Sequence, residues 1–270
     1  MGDARAFQKY EGLGNDFILV EARTEAEVSP DDATRLCDRR FGVGADGVLL
    51  ILPPRAPGCD VRMRVINADG SIPEMCGNGV RCVSLHVARA RGNRKATVRV
   101  ETDAGERACV VNDEGSAGLV TVDMGTVQVL GDRAVDVQGR TVVVTVADAG
   151  NPHAVVFGAF ARGDVEHLGP RLATHPAFPR GTNVEFACVA SDGIDLVVWE
   201  RGVGITMACG TGACATVAVA CQKELVSRGK PVKVRLPGGA LEITIDESWR
   251  ATMTGPARRV FGGTIPQACA

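Results

Sequence analysis

Two cysteines carry the chemistry of this 270-residue chain, each heading the same short phrase: Cys76-Gly-Asn-Gly-Val and Cys209-Gly-Thr-Gly-Ala, 133 residues apart. An apolar run of helical spacing follows each phrase, which places each cysteine where a helix begins. The first N–H groups of a helix have no partner within it, and its aligned peptide dipoles leave roughly half a positive charge at that end. The glycines let a bound group approach the backbone closely. A carboxylate is attracted to such a place, and the same field is expected to favour thiolate over thiol, below the ordinary cysteine value of about 8.5. Inverting an α-carbon requires a base on one face and an acid on the other, and two opposed thiols supply both, exchanging roles with the direction of reaction. The N–H groups at the helix starts would hold the enediolate-like carboxylate of the carbanion as an oxyanion hole does. A single cysteine before a helix is ordinary packing; two at the same place in two repeats, each in a glycine-rich turn, point to catalysis.

The elements that must position these residues repeat as well. The shift of 133 also lays Val61-Arg-Met-Arg-Val-Ile-Asn67 on Ile194-Asp-Leu-Val-Val-Trp-Glu200. A shift of 134 lays Val98-Arg-Val on Val232-Lys-Val, and one of 136 lays Gly14-Asn-Asp-Phe on Gly150-Asn-Pro-His. Four matches in one order indicate a duplicated chain, each half running strand, turn, helix and more strands. Two such halves are expected to pack about a pseudo-twofold axis with equivalent loops facing. Strands are predicted at Phe17 to Val20, Val61 to Ile66, Thr97 to Glu101, Arg140 to Val146, Ala154 to Phe157, Leu196 to Glu200 and Val232 to Leu236. Helices are predicted at Pro30 to Arg39 with Ser29 as cap, Val80 to Ala90, Val165 to Ala173 and Ala213 to Glu224, an α+β mixture.

Composition narrows the partner. Thirty Lys and Arg against 32 Asp and Glu give a net charge of −2, without the basic surplus of a nucleic-acid binder. No apolar run reaches the roughly 20 residues of a membrane helix, and Met1 to Leu13 is polar and mixed, so a cytoplasmic protein with a small-molecule partner is expected. The ten cysteines include no CxxC pair and are expected as thiols, Cys37 and Cys221 serving as small buried hydrophobes. His86, His153, His167 and His175 lack ligand spacing, so no metal is expected. Gly42-Val-Gly-Ala-Asp-Gly47 satisfies GxGxxG as text, but a strand-like run, Val48 to Leu52, follows where a dinucleotide site needs a helix.

The chain resembles the diaminopimelate epimerase family over nearly its whole length. The resemblance is carried by Gly12-Leu-Gly-Asn-Asp-Phe17, Gly42-Val-Gly-Ala-Asp-Gly47, Asn67-Ala-Asp-Gly-Ser71, Met75-Cys-Gly-Asn-Gly79 with Arg81-Cys82, Gly150-Asn-Pro-His153, Gly181-Thr-Asn-Val-Glu-Phe186, Glu200-Arg-Gly202 and Ala208-Cys-Gly-Thr-Gly-Ala213. It implies two pseudo-symmetric domains, each a mixed or antiparallel β-sheet wrapped around a central helix, with the active site in the cleft between them. The expected halves are residues 1–119 with the returning segment 256–270, and residues 120–255. The implied activity interconverts LL- and meso-2,6-diaminopimelate, for lysine and peptidoglycan synthesis, without a cofactor; a homodimer is the implied assembly. Cys76 and Cys209 are the implied bases. The N–H groups of Gly77, Asn78, Gly210 and Thr211 would hold the reacting carboxylate. Asn15, Asn67, Asn151, Asn183, Glu200 and Arg201 would grip the remaining amino and carboxylate groups, with His153 orienting or tuning a thiol. An arginine, a glutamate and several amides suit a second amino-acid head. The chain departs from the family at Gly47, where some members carry glutamine, at Val80, where alanine is commoner, and after Ser71, where the usual acidic residue is missing.

Three other readings fit fewer residues. A hydrolase with Cys209 as nucleophile and His153 as base leaves Cys76 without a role. Another two-cysteine racemase, for proline, hydroxyproline or histidine, or a phenazine-type isomerase, would share the frame. A duplicated amino-acid binding module would use the helix ends but exchange no proton. Opposed thiols carry their own prediction: oxidation closes a Cys76–Cys209 disulfide and abolishes activity, with recovery on reduction. A peptide map of inactive, oxidised protein lacking that crosslink would contradict it.

Overall fold

The structure, a computed structural model, describes residues 5–265; Cys269 and the outer ends of both terminal segments named above lie outside the described residues. The chain divides into two compact units, one reaching to Val122 and rejoined from Gly255, the other running from Asp123 to Thr254.

The first unit contains β1 (Arg5–Gly12), β2 (Asn15–Glu21), α1 (Pro30–Cys37), β3 (Gly47–Leu52), β4 (Val61–Asn67), α2 (Gly77–Ala90), β5 (Lys95–Thr102), β6 (Gly105–Asp113) and most of β7 (Gly118–Thr126). β2 and β3 are parallel, as are β4 and β5, while β1–β2, β3–β4, β5–β6 and β6–β7 are antiparallel. A parallel pair needs a crossover, which α1 provides between β2 and β3 and α2 between β4 and β5. All six residues of β3 are buried, as expected of a strand packed by α1 and α2.

The second unit repeats this order with β8 (Gln128–Val137), β9 (Arg140–Asp148), β10 (Pro152–Phe157), α3 (Arg162–Ala173), β11 (Asn183–Ala190), β12 (Gly193–Glu200), the short β13 (Gly204–Ile205), α4 (Gly210–Gln222), β14 (Val232–Leu236), β15 (Gly239–Ile245) and the start of β16 (Arg250–Ile265). Here β10 and β11 are parallel around α3, and β12 and β14 around α4. β16 begins antiparallel to β15 and ends antiparallel to β1, with Arg5 opposite Ile265.

Each unit is built around its second helix. α2 packs on β1, β5 and β6, with Val80, Val83 and Leu85 at 0% exposure. α4 packs on β8, β9, β10, β11 and β15 and is buried from Gly210 to Cys221 apart from Thr211. A helix apolar on every side is core by itself, so the cysteine at its head is fixed by the whole unit.

The predicted elements differ from the structure mainly at their ends, while β1, β6, β7, β8, β11, β13, β15 and β16 lie outside the strand runs predicted above. α2 and α4 begin at Gly77 and Gly210, three residues before Val80 and Ala213, because the glycine phrase is itself the first turn. α1 stops at Cys37 instead of Arg39: Asp38 leaves helical geometry at φ −57°, ψ 122°, and its carboxylate accepts the N–H groups of Arg40 (2.7 Å) and Phe41 (2.8 Å). The GxGxxG segment is followed by β3, the arrangement that excludes a dinucleotide turn. Among the described residues no helix is long and apolar enough to cross a membrane, and no cluster of His, Cys, Asp and Glu could hold a metal ion.

Candidate active site

In the first unit Cys76 caps α2. Its backbone is extended (φ −137°, ψ 113°), and Sγ accepts the Gly79 N–H at 3.4 Å. The Val80 N–H goes to the Cys76 carbonyl, so Gly77 and Asn78 hold the two N–H positions ahead of the first helical bonds. Fully buried Arg81 braces this turn, donating to the carbonyls of Pro256 (3.2 Å) and Gly77 (3.4 Å). Buried Asn78 donates through Nδ2 to Asn15 Oδ1 at 3.1 Å, and Asn15 Nδ2 donates to Asp46 Oδ2 at 2.7 Å. Asp46 in turn accepts from Arg39 (2.7 Å), which also donates to Asp16 (2.7 Å), while Lys9 pairs with Asp16 at 2.6 Å. Burial by itself would raise the Asp16 carboxyl, but hydrogen bonds from Arg39 and Lys9 overcome it and hold Asp16 at about 2. Asn67 lies next to this network, since it pairs with Gly47 across β3 and β4; its Nδ2 donates to Ser71 Oγ (2.9 Å) and closes the 67–71 turn. At Gly47, where some members carry glutamine, a Cβ would stand 2.9 Å from the Ile66 carbonyl, so this backbone requires glycine.

The second unit has the same cap. Cys209 is extended (φ −122°, ψ 108°), its Sγ accepts the Gly212 N–H at 3.4 Å, and it lies 3.6 Å from Thr211 Oγ1. Cys209 is 7% exposed. The expectation of a lowered thiol pKa fails here. Burial pushes Cys209 well up, the carboxylates of Glu200 and Glu185 push it further, and the bonds from Thr211 and Gly212 only partly oppose them. Cys37, raised to about 12 by burial, and Cys221, also raised by burial, behave as the packed thiols expected of them.

Around Cys209 the other expected residues are joined by hydrogen bonds. His153 is buried, with Nδ1 2.7 Å from Glu185 Oε1 and Nε2 2.8 Å from Asn151 Oδ1. Asn183 stands beside His153 in the β10–β11 register, and its Oδ1 accepts the Arg201 N–H at 2.9 Å. Arg201 is exposed and its guanidinium donates to the Arg180 carbonyl. Glu200, half-buried, accepts from Thr206 Oγ1 at 2.6 Å, and burial raises its carboxyl. Asp46 and Glu185 were not among the expected site residues. The signal for Glu185 is a lone acid in the strand Asn183-Val-Glu-Phe-Ala187, whose five residues are all buried; Asp46 lies in the glycine segment that carries part of the family resemblance, where Gly47 alone is singled out.

The fold, two units of the same strand and helix order, is shared with solved structures described as a hydroxyproline epimerase and a probable proline racemase. The chain is similar to a hydroxyproline epimerase from Agrobacterium vitis, at 18% identity and a TM-score of 0.75, over 97% of this chain and 92% of that one. The model of the family described as Diaminopimelate epimerase matches residues 7–130 and 145–260. The chain is 46% identical over 282 residues to the diaminopimelate epimerase of Synechocystis sp., covering 96% of this chain and 98% of that one. It is 43% identical over 282 residues to that of Microcystis aeruginosa, at 96% and 98% coverage. The chain belongs to the diaminopimelate epimerase family.

Two predictions follow from the half-site geometry. A Cβ at Gly212 would meet Glu185 Oε1 at 2.9 Å and Cys209 Sγ at 3.2 Å, whereas one at Gly79 would meet only the Leu49 methyls as closely, at 3.1 and 3.2 Å, a contact met by a smaller shift. Gly212→Ala is therefore expected to lose about 1–3 kcal/mol and Gly79→Ala clearly less, read from urea melts. For Asp16, a folded value below the unfolded one stabilises above pH 4 and is lost as pH falls toward 2. The gap between about 2 and the ordinary 3.8 corresponds to about 2 kcal/mol, so Asp16→Asn should destabilise by roughly that much at pH 7 and by little at pH 2.

Proposed function

We infer that this chain interconverts LL- and meso-2,6-diaminopimelate by moving a Cα proton between Cys76 and Cys209, without pyridoxal phosphate. The observation that carries this reading is the doubled cap: in each unit the sulfur accepts the third helical N–H at 3.4 Å, a position packing does not demand twice. Membership of the family supplies the substrate, and the reaction makes a precursor for lysine and peptidoglycan in the cytoplasm.

The pair must enter each turnover as one thiolate and one thiol. Burial, reinforced by Glu200 and Glu185, favours the thiol form at Cys209. The base takes the Cα proton, and charge spreads onto the substrate carboxylate, where N–H groups of Gly77, Asn78, Gly210 and Thr211 stabilise it. The opposite thiol returns a proton to the other face. Asn15, Asn67, Asn151, Asn183, Glu200 and Arg201 would bind the amino group and the distal amino-acid head.

The hydrolase alternative has no support from His153, whose two ring nitrogens face Glu185 and Asn151. The testing experiment supplies reduced protein with LL-diaminopimelate, without added pyridoxal phosphate, and follows meso product by chiral chromatography. Wild type is expected to turn over, and Cys76→Ala and Cys209→Ala each to lose at least about 10²-fold, since neither thiol can replace the other. Turnover retained in either variant would overturn the two-base assignment.

A further inference from the structure

Glu185 enters the mechanism above only through its charge near Cys209 and is given no hydrogen-bonding part. Its side chain and that of His153 are both at 0% exposure, and its Oε1 is the atom that a Cβ on Gly212 would strike at 2.9 Å. Packing does not require a carboxylate there. In the first unit the same place is apolar: Phe17 and Gly47 are register partners as His153 and Asn183 are, and Leu49 lies against Gly79 as Glu185 lies against Gly212. A buried acid where the sister unit manages with leucine is costly unless its hydrogen bonds serve a purpose.

Those bonds form a directed chain. His153 Nε2 lies 2.8 Å from Asn151 Oδ1, and an amide oxygen only accepts, so Nε2 carries a hydrogen. Nδ1 faces Glu185 Oε1 at 2.7 Å. Whether that hydrogen sits on nitrogen or on oxygen, carboxyl and ring share one proton and Nε2 remains the donor. The Asn151 carbonyl is thereby turned to the ring and its NH2 is turned away. Asn15, the equivalent residue of the first unit, is held the opposite way, with its NH2 on Asp46 and its carbonyl receiving Asn78.

We propose that Glu185 is a positioning residue that acts through His153 to fix the Asn151 amide with its NH2 as a donor to a substrate carboxylate. The proposal rests on the epimerase reading and deepens it: Asn151 is left with its NH2 to offer, whereas both ends of the equivalent Asn15 amide are taken up by Asp46 and Asn78.

The test compares Glu185→Gln, Glu185→Leu and Asn151→Asp with wild type. Glutamine can donate to Nδ1 and leave Nε2–H on Asn151; leucine, the residue of the sister unit, cannot; aspartate at 151 keeps the bond to His153 but has no donor. The expected result is a KM for LL-diaminopimelate raised about tenfold or more in Glu185→Leu and Asn151→Asp, with kcat changed less than about threefold, and KM within about threefold of wild type in Glu185→Gln. The imidazole ¹⁵N spectrum of His153 should show a protonated Nε2 in wild type, Glu185→Gln and Asn151→Asp. Equal KM in Glu185→Leu and Glu185→Gln, or an unprotonated Nε2 in wild type, overturns the proposal. Should Glu185→Leu fail to fold, Asn151→Asp and the spectrum still decide it. A wild type inactive on diaminopimelate would refute the epimerase reading, while the His153 spectrum would still judge the hydrogen-bond chain.

Discussion

Everything in the two half-sites depends on one contact, a cysteine sulfur accepting the third N–H of a buried helix at 3.4 Å. The bond keeps the thiol at the positive end of the helix, beside the backbone N–H groups that a carboxylate would occupy. It holds only if the helix cannot move. The strands around α2 and α4 supply that constraint, and the glycines after each cysteine keep side chains out of the first turn. Fold and chemistry are therefore inseparable at these positions: the residue that would improve helix propensity at Gly212 would collide with Glu185.

Duplication supplied two equal frames, and the residues beneath them have since diverged in charge. The first unit surrounds its helix start with Arg81 and with an Asn15–Asp46–Arg39–Asp16–Lys9 network. The second places His153, Glu185 and Glu200 around Cys209, whose thiol is raised by burial and further by these two acids. Two thiols with the same backbone geometry thus have different electrostatic surroundings.

Much of this was legible in the sequence because the repeat preserves a phrase. Cys-Gly-x-Gly before an apolar run marks a capped central helix in both halves, and Val61–Asn67 laid on Ile194–Glu200 marks the preceding strand. The helix starts were misjudged by three residues because glycine reads as a break where here it is the first turn. β8 and the second half of β16 carry little strand signal in the sequence because exposed Asp, Arg and Gly interrupt their alternation and most of their residues face solvent. The rise of the Cys209 thiol comes from its burial and then from Glu200 and Glu185, which the fold brings to it from other strands. No local pattern encodes that. Glu185 itself left one trace, an acid within a strand otherwise suited to burial on both faces.

The central claim is that two different thiols act on one α-carbon, and the fate of the transferred hydrogen tests it most directly. LL-diaminopimelate carrying ordinary hydrogen at Cα would be turned over in deuterated water and stopped at a few per cent conversion, then both stereoisomers analysed by mass spectrometry. Two bases predict meso product bearing one solvent deuteron at the inverted carbon, with the remaining LL substrate almost unlabelled. Meso product that retains the substrate's own hydrogen would mean a single base acting on both faces and would contradict the account.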